Sequence, residues 1–200
     1  MQANLTDWRV TAVNHTPQVR EKVSVAATLY NLSGKALGKT RTQTLDIAAS
    51  EISTAFIVDV PAGAPALHLV RLELHDWSGT LLSQNTYWRY AKPSDMQALN
   101  SAGKTSLGLS AGPTHRPGDQ QTTTVTISNR GNTVAPMVRL SVRDQRGNRV
   151  LPATYDDNYL WLLPGEARQI AISWPIDAAS GLGVHIEADA YNAAQVSTRC

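Results

Sequence analysis

The chain has 200 residues, which is enough for one large or two small domains. Its formal net charge of +2 gives no electrostatic reason to expect nucleic-acid binding. Its Lys and Arg residues are scattered along the sequence. The sequence contains no run of about 18 apolar residues, the length that a membrane-spanning helix needs. The only cysteine is Cys200, so no intrachain disulfide can form. The N-terminus has no signal-peptide pattern, and its start directly on a strand-like segment favours a piece of a longer protein.

Short segments with alternating polar and apolar residues follow one another up to about residue 90. Trp8, Val10 and Ala12 are expected on one face of the first strand. The sequence Trp77-Ser78-Gly79-Thr80 predicts a hairpin turn between two of the later strands. Six or seven strands at this spacing indicate an antiparallel sandwich; the segments are 7–14, 23–30, 40–47, 52–60, 67–75 and 81–90.

Residues 93–104 interrupt the strand pattern. Ser94 or Asp95 could cap a single helical turn close to Pro93. The sequence Ser101-Ala102-Gly103-Lys104 has the small and polar composition of a linker. We therefore predict a first domain over residues 1–92, a linker with a short helical turn over 93–104, and a second domain over 105–200.

A second series of strand-like segments begins at Thr105. Its turn Asp144-Gln145-Arg146-Gly147 resembles the earlier turn Asp76-Trp77-Ser78-Gly79, so the two halves share a pattern of strands and turns. The predicted fold class is all-β, with two immunoglobulin-like antiparallel β-sandwich domains in tandem. Leu107 and Leu109 alternate in its first segment, and the later segments are 121–129, 138–143, 167–174 and 184–191.

The usual motifs of catalysis and cofactor binding are missing from the sequence. The histidines have no metal-ligand spacing, and His68 and His75 are interpreted as separate surface or edge residues. No nucleophile elbow or phosphate loop occurs, and the terminal Cys200 is interpreted as incidental. We therefore assign no catalytic, cofactor-binding or metal-binding residue and expect no cofactor; the five histidines are His15, His68, His75, His115 and His185.

Carboxylates need separate attention because glycosidases use a pair of them. Asp156, Asp157 and Glu166 lie close together in sequence, and their residue types are explained by turn chemistry. We expect Asp157 and Asn158 to fix a bend, a type II turn at Pro164-Gly165, and Glu166 to be a solvated turn residue. A calcium site in this loop is the alternative, although it would need further oxygen ligands.

Aromatic side chains could form a platform for a sugar ring. The candidates are Tyr87-Trp88-Arg89-Tyr90 and Tyr159-Leu160-Trp161, although packing in a core is the more common role of such residues. Trp8, Trp174 and Tyr191 also fit inward-facing strand positions. The remaining alternative is an exposed patch that contacts other domains or a glycan.

Two segments resemble known sequences. The run from Asp156-Asp157-Asn158-Tyr159 to Leu163-Pro164-Gly165-Glu166 resembles the signature "D-N-Y…L-x-P-G-E" near the C-terminus of glycoside hydrolase family 2 enzymes. The strand Ser83 to Trp88 is similar to the "S-x-N-x-Y-W" strand of the same family. Pro136-Met137 departs from the pattern, because the family often has aromatic residues at that place.

The resemblance implies the two C-terminal β-sandwich domains of an exo-β-D-glucosaminidase or a related β-mannosidase. In such enzymes the two catalytic glutamates belong to a preceding (β/α)₈ barrel, so the resemblance transfers no catalytic residue to this chain. It implies a non-catalytic hydrolase portion that supports the barrel and the active-site rim. The implied partners are the remaining domains, with an oligosaccharide as a further candidate, and the implied location is secreted or periplasmic.

Two other functions are compatible with the same residues. A stand-alone carbohydrate-binding module would need exposed aromatic residues on one sheet face or loop rim. An adhesion-type pair of immunoglobulin-like domains would need only the fold. A catalytic barrel encoded upstream would distinguish the glycosidase portion from both.

Overall fold

The computed structural model describes residues 1–179 and 183–200. Across these residues the chain divides into two compact units, Met1–Ser101 and Ala102–Cys200. The described residues form fifteen strands and two 3₁₀ helices, and the strand pairs are antiparallel, which confirms the predicted all-β class. None of the described helices is long and apolar enough to cross a membrane. The assignment of residues 93–104 as a linker stays a prediction.

The first unit has two facing sheets of the kind expected for a sandwich. Three strands form one sheet in the order β1-β2-β5, and four form the other in the order β4-β3-β6-β7. The strands are β1 (Gln2–Ala3), β2 (Arg9–Val13), β3 (Arg20–Tyr30), β4 (Arg41–Ile47), β5 (Ile52–Ile57), β6 (His68–His75) and β7 (Leu81–Arg89).

The core of the first unit follows the two-residue period of its strands. On β3 the side chains of Val25, Ala27 and Leu29 are buried, and the residues between them are partly exposed. Strand β6 lies between β3 and β7 and is buried over most of its length, including Leu72. A central strand can be buried on both faces, so its sequence does not have to alternate.

The first 3₁₀ helix, Pro93–Ser101, corrects one expectation. The sequence predicts a single turn, whereas nine residues at about three residues per turn make about three turns. Asp95 Oδ2 accepts hydrogen bonds from the backbone N–H groups of Ala91 (3.1 Å) and Lys92 (3.0 Å), the two residues just before the helix. Leu99 is buried near its other end and anchors it.

The second unit also has two sheets, each with four strands. Their orders are β11-β13-β9-β8 and β12-β10-β14-β15. A second 3₁₀ helix, Ile176–Ala179, follows β13. The strands are β8 (Leu107–Ala111), β9 (Gln120–Asn129), β10 (Ala135–Asp144), β11 (Thr154–Tyr155), β12 (Leu160–Leu162), β13 (Ala167–Pro175), β14 (Val184–Ala190) and β15 (Ala193–Arg199).

The core of the second unit lies between these sheets. Val125 and Ile127 on β9 are fully buried, and Thr123, which shares their face, is buried with them. Trp174 on β13 is also fully buried and fills this core, as expected from the sequence. The two sheets meet at the segment between β11 and β12, which carries the family-like signature.

Candidate functional site

The hydrogen bonding between the β11 segment and strand β13 ends at Asp156. Strand β11 pairs with β13 through Thr154 and Tyr155, and the next partner in this register is Ala171. The backbone N–H of Asp156 donates to the Ala171 carbonyl oxygen (3.1 Å). The backbone N–H of Ala171 in turn donates to Asp156 Oδ1 (3.0 Å). The side chain therefore takes the acceptor role of a strand carbonyl where the chain leaves the sheet.

Two residues later, the side chain of Asn158 takes the place of strand backbone in the other sheet. Strand β12 pairs with β10 through Leu160 and Val138, and Asn158 would face Leu140 if the strand continued. The backbone N–H of Leu140 donates to Asn158 Oδ1 (2.8 Å), and Asn158 Nδ2 donates to the Leu140 carbonyl oxygen (3.1 Å). The amide side chain thus satisfies both polar groups of a strand residue.

The two residues on either side of Asn158 stabilise the bend in which the chain passes from one sheet to the other. Asp157 Oδ1 accepts from the backbone N–H of Asn158 (2.8 Å), and its other oxygen lies 3.5 Å from Nη2 of Arg168. The N–H of Tyr159 donates to Asn158 Oδ1 (2.9 Å), and Tyr159 has a φ of 57°. The bend that we predict at Asp157 and Asn158 is confirmed, and Asn158 has a second role that the sequence did not indicate.

The predicted turn after β12 is also confirmed. The N–H of Glu166 donates to the Leu163 carbonyl oxygen (3.0 Å), and Gly165 has a φ of 76°, as a type II turn with Pro164 at its first central position requires. The Glu166 side chain corrects an expectation. It is half-buried rather than solvated, and its Oε2 accepts from the backbone N–H of Leu163 (2.8 Å).

A buried residue that sequence reasoning missed fastens this turn to the rest of the unit. Asn129, at the end of β9, donates through Nδ2 to the carbonyl oxygens of Thr133 (2.7 Å) and Leu162 (3.0 Å). Its Oδ1 accepts from the hydroxyl of Thr105 (2.6 Å) and the N–H of Gly131 (3.1 Å). A signal existed in the sequence, because Asn before Arg-Gly at a strand end is typical of a turn.

The carboxylates of this loop therefore act on the backbone. Asp156 and Glu166 accept main-chain hydrogen bonds, and Asp157 combines one with its contact to Arg168. Among the described residues, no three His, Cys, Asp or Glu side chains come together in a way that could hold a metal ion. The arrangement fits turn chemistry and offers nothing in favour of the calcium alternative.

A groove of about 340 Å³ lies beside the loop. Its lining includes Arg139, Arg149, Tyr155 and Tyr159. A hydrogen bond and the charge of Asp189, 2.6 Å away, raise the pKa of Arg139. The described residues that line the groove carry no carboxylate, so they cannot supply the acid and base of glycoside hydrolysis.

The histidines and the cysteine do not join this loop. His68 is buried, contrary to its interpretation as a surface or edge residue, because it lies on the central strand β6. Its Nδ1 lies 2.8 Å from the carbonyl oxygen of Pro65, and burial lowers its pKa. His185 Nε2 lies 3.2 Å from Glu187, which also accepts from Arg143 (2.8 Å). The Cys200 side chain is exposed, and desolvation of its thiol raises the pKa to about 11.

The aromatic candidates have different positions. Trp161 is buried, whereas Tyr159 and Tyr191 are exposed, so the inward position that we predict for Tyr191 is wrong: it lies in the turn between β14 and β15. Trp8 precedes β2 with a φ of 57° and packs, half-buried, against the core that contains Val10 and Ala12. Its half-buried ring lies edge-on to Tyr87 at 6.4 Å and below the guanidinium of Arg89 at 4.5 Å; Tyr87 and Trp88 are half-buried as well.

Comparison with protein-family models gives a match over residues 85–193 to the exo-β-D-glucosaminidase Ig-fold domain. The match covers more than half of the chain and contains the loop described above. This chain belongs to that family. The resemblance inferred from the signature residues is thereby confirmed, together with its place among the family 2 glycoside hydrolases.

Curated relatives extend the likeness to almost the entire chain. The exo-β-D-glucosaminidase of Streptomyces avermitilis is 25% identical over 98% of this chain and 24% of its own length. That of Amycolatopsis orientalis is 28% identical over 82% of this chain and 18% of its own length. The chain therefore spans about a quarter or less of the relatives that it matches, and these relatives are multidomain enzymes.

Solved structures agree with this placement. The crystal structure of the Amycolatopsis orientalis exo-chitosanase CsxA has a TM-score of 0.88 at 25% identity, over 100% of this chain and 26% of that chain. The β-D-mannosidase of Dictyoglomus thermophilum has a TM-score of 0.55 at 16% identity over 93% of this chain and 20% of that chain, which shows a shared fold.

Proposed function

We propose that this chain is the C-terminal, non-catalytic β-sandwich portion of a family 2 exo-β-glycosidase of the exo-β-D-glucosaminidase type. Its role is to support the catalytic barrel and the rim of its active site. The observation that carries the proposal is the alignment of 98% of the chain with about a quarter of an exo-β-D-glucosaminidase. The remaining domains of such an enzyme are then its partners.

The local chemistry of the signature loop supports a structural role. The side chains of Asp156, Asn158 and Glu166 are hydrogen-bonded to main-chain groups of neighbouring strands and turns. A catalytic carboxylate pair must instead face a sugar across a gap of about 5–9 Å. A loop whose polar groups hold two sheets together gives a rigid support, which is what a domain next to a barrel has to provide.

A domain replacement tests the proposal. The quarter of the Amycolatopsis orientalis enzyme that aligns with this chain is replaced by this chain, and the same enzyme with that quarter deleted is the control. We expect the replaced enzyme to stay soluble and to hydrolyse an aryl β-glucosaminide, and the deleted enzyme to be insoluble or inactive. A deletion that leaves stability and activity unchanged contradicts the supporting role.

The isolated chain is expected to have no hydrolytic activity on aryl β-glucosaminides, aryl β-mannosides or chitosan oligomers. The physical reason is that glycoside hydrolysis needs a positioned pair of carboxylates. Turnover by the purified chain that is lost in Glu166→Gln or Asp157→Asn would show that the loop is an active site and would overturn the proposal.

The domain limits are part of the same proposal: domains at 1–92 and 105–200, with 93–104 as the linker. The split of the chain into units that meet at residues 101 and 102 supports two domains. Separate expression of residues 1–101 and 102–200 tests it. Dispersed amide spectra and a cooperative urea transition are expected from each piece, and an unfolded piece contradicts it.

We also propose that the parent enzyme acts outside the cytoplasm, in the periplasm or the medium. The support is the type of substrate in the relative's name, chitosan, a polymer that is too large to enter a cell without cleavage. Fractionation of the native host tests the location. Activity that stays with the cytoplasmic fraction contradicts it.

A further inference from the structure

Trp77 is the most exposed large hydrophobic side chain among the described residues, at 79%. It occupies the tip of the hairpin between β6 and β7, where the core cannot reach it. Val19 and Leu82 nearby are exposed by 54% and 45%. The three side chains line one groove, and contiguous apolar surface of this kind is a feature of interaction sites.

The hairpin fixes the backbone that carries this tryptophan. Asp76 Oδ1 accepts from the N–H (2.9 Å) and the hydroxyl (2.6 Å) of Ser78 and from the N–H of Thr80 (2.9 Å). The N–H of Asp76 donates to the Thr80 carbonyl oxygen (2.9 Å), and Gly79 adopts a φ of 87°. The backbone of such a turn is already ordered before a ligand binds, so its ordering adds no cost to binding.

An equivalent hairpin in the second unit shows that the turn itself does not need the tryptophan. Asp144 Oδ1 accepts from the N–H groups of Arg146 and Asn148 (both 2.8 Å), and Gly147 has a φ of 82°. The position of Trp77 is occupied there by Gln145. Since the same turn forms around a polar residue, the indole of Trp77 is not required to form the turn.

A groove of about 280 Å³ runs from this tip to the first residues of β3. Its lining contains two carboxylates, Asp76 and Glu21, and one guanidinium, Arg20, so negative charge predominates. The three hydrogen bonds that the hairpin makes to Asp76 go to Oδ1, which leaves Oδ2 available to a ligand. Glu21 is exposed at the start of the strand.

We propose that this groove, the Trp77 groove, binds an oligomer of β-linked glucosamine. A sugar ring stacks on the indole of Trp77, and the protonated amine of the bound sugar is held by the carboxylates of Asp76 and Glu21. The choice of ligand rests on the proposed function, because a relative is an exo-chitosanase. The groove itself supplies the aromatic face and the opposite charge that this sugar requires.

The experiment measures binding of a glucosamine hexamer to the isolated chain by calorimetry near pH 6. The variant Trp77→Gln installs the residue of the equivalent hairpin, so the fold is expected to be kept, and urea unfolding verifies it. We expect Trp77→Gln to weaken binding by about tenfold or more, the usual effect of one aromatic contact. Tyr159→Ala, which removes another exposed aromatic ring, is the matched control and should bind like the parent chain.

The charge contribution has its own test. Glu21→Gln is expected to weaken binding of the glucosamine hexamer, and the neutral N-acetylglucosamine hexamer is expected to bind less tightly than the amine form. The proposal is overturned if the parent chain does not bind, if Trp77→Gln binds equally well, or if the acetylated hexamer binds as tightly. None of these results affects the domain replacement, which measures support of the barrel and not sugar binding.

Discussion

The side-chain amide of Asn158 forms a two-way hydrogen-bonded pair with the backbone of Leu140. Oδ1 accepts at 2.8 Å from the N–H of Leu140, and Nδ2 donates at 3.1 Å to its carbonyl oxygen. Leu140 is the residue that β12 would pair with if it were longer. The Asn158 side chain therefore hydrogen-bonds β10 where the Asn158 backbone no longer does. The chain can thereby change sheets and leave both groups of Leu140 satisfied.

We predict that Asn158→Ala destabilises the chain by about 1–3 kcal/mol, because two half-buried backbone groups of Leu140 lose their partner. Asp157→Asn is the matched control, since it changes an adjacent exposed residue and weakens only the 3.5 Å contact with Arg168. Its cost should stay within about 0.5 kcal/mol. Urea unfolding of both variants checks the prediction, and equal midpoints would contradict the role given to Asn158.

Substitutions at Gly165 distinguish the cost of backbone strain from the cost of steric crowding. Its φ is 76°, and a Cβ built on it would meet no atom within 4 Å. Gly165→Val should therefore cost about 1–3 kcal/mol through strain alone. Gly165→Asn should cost clearly less, because asparagine tolerates left-handed backbone. If the two substitutions are equally damaging, the turn is limited by something other than φ. Denaturant unfolding of the two variants measures the difference.

Substitutions at Glu166 test the role of its side chain as a hydrogen-bond acceptor. Its Oε2 accepts from the N–H of Leu163 (2.8 Å), and the oxygen of a glutamine can do the same. We expect Glu166→Gln to cost less than Glu166→Ala, because the glutamine oxygen still accepts from the N–H of Leu163. Glu166→Ala should cost about 1 kcal/mol or more, because the backbone donor is left without this acceptor. Equal losses in thermal or urea unfolding would contradict the role given to the hydrogen bond with Leu163.

The features that the sequence predicts well are those with local causes. The alternation on β3 and β9 comes from the two-residue period of a strand, so the burial of Val25, Val125 and Ile127 could be inferred. The turns at Gly79 and Gly165 could be inferred because few residues other than glycine accept a positive φ. The family signature likewise consists of neighbouring turn residues.

The features that it does not predict depend on partners that are distant in the chain. Asn129 contacts Leu162, and Asn158 contacts Leu140, across strands that no local pattern relates. The burial of His68 follows from the central place of β6, and the short sequence around it has no sign of that place.

His68 makes the stability of the chain depend on pH. Burial, as the largest cause, and the positive charge of Arg89 lower its pKa below 6.5, while the hydrogen bond with the Pro65 carbonyl opposes the shift. As the pH falls through about 6.5, the unfolded chain therefore takes up a proton before the folded chain does. The free energy of unfolding should decrease from there until the pH reaches the folded-state pKa.

The variant His68→Asn removes this titration and keeps a side-chain donor for the Pro65 carbonyl oxygen. Urea unfolding between about pH 7 and pH 5 should show a smaller loss of stability for His68→Asn than for the parent chain. His15→Asn, the same substitution at an exposed position, is the matched control. A parent chain whose stability rises as the pH falls would mean that His68 is held protonated in the folded state, and this would contradict the role that burial has here.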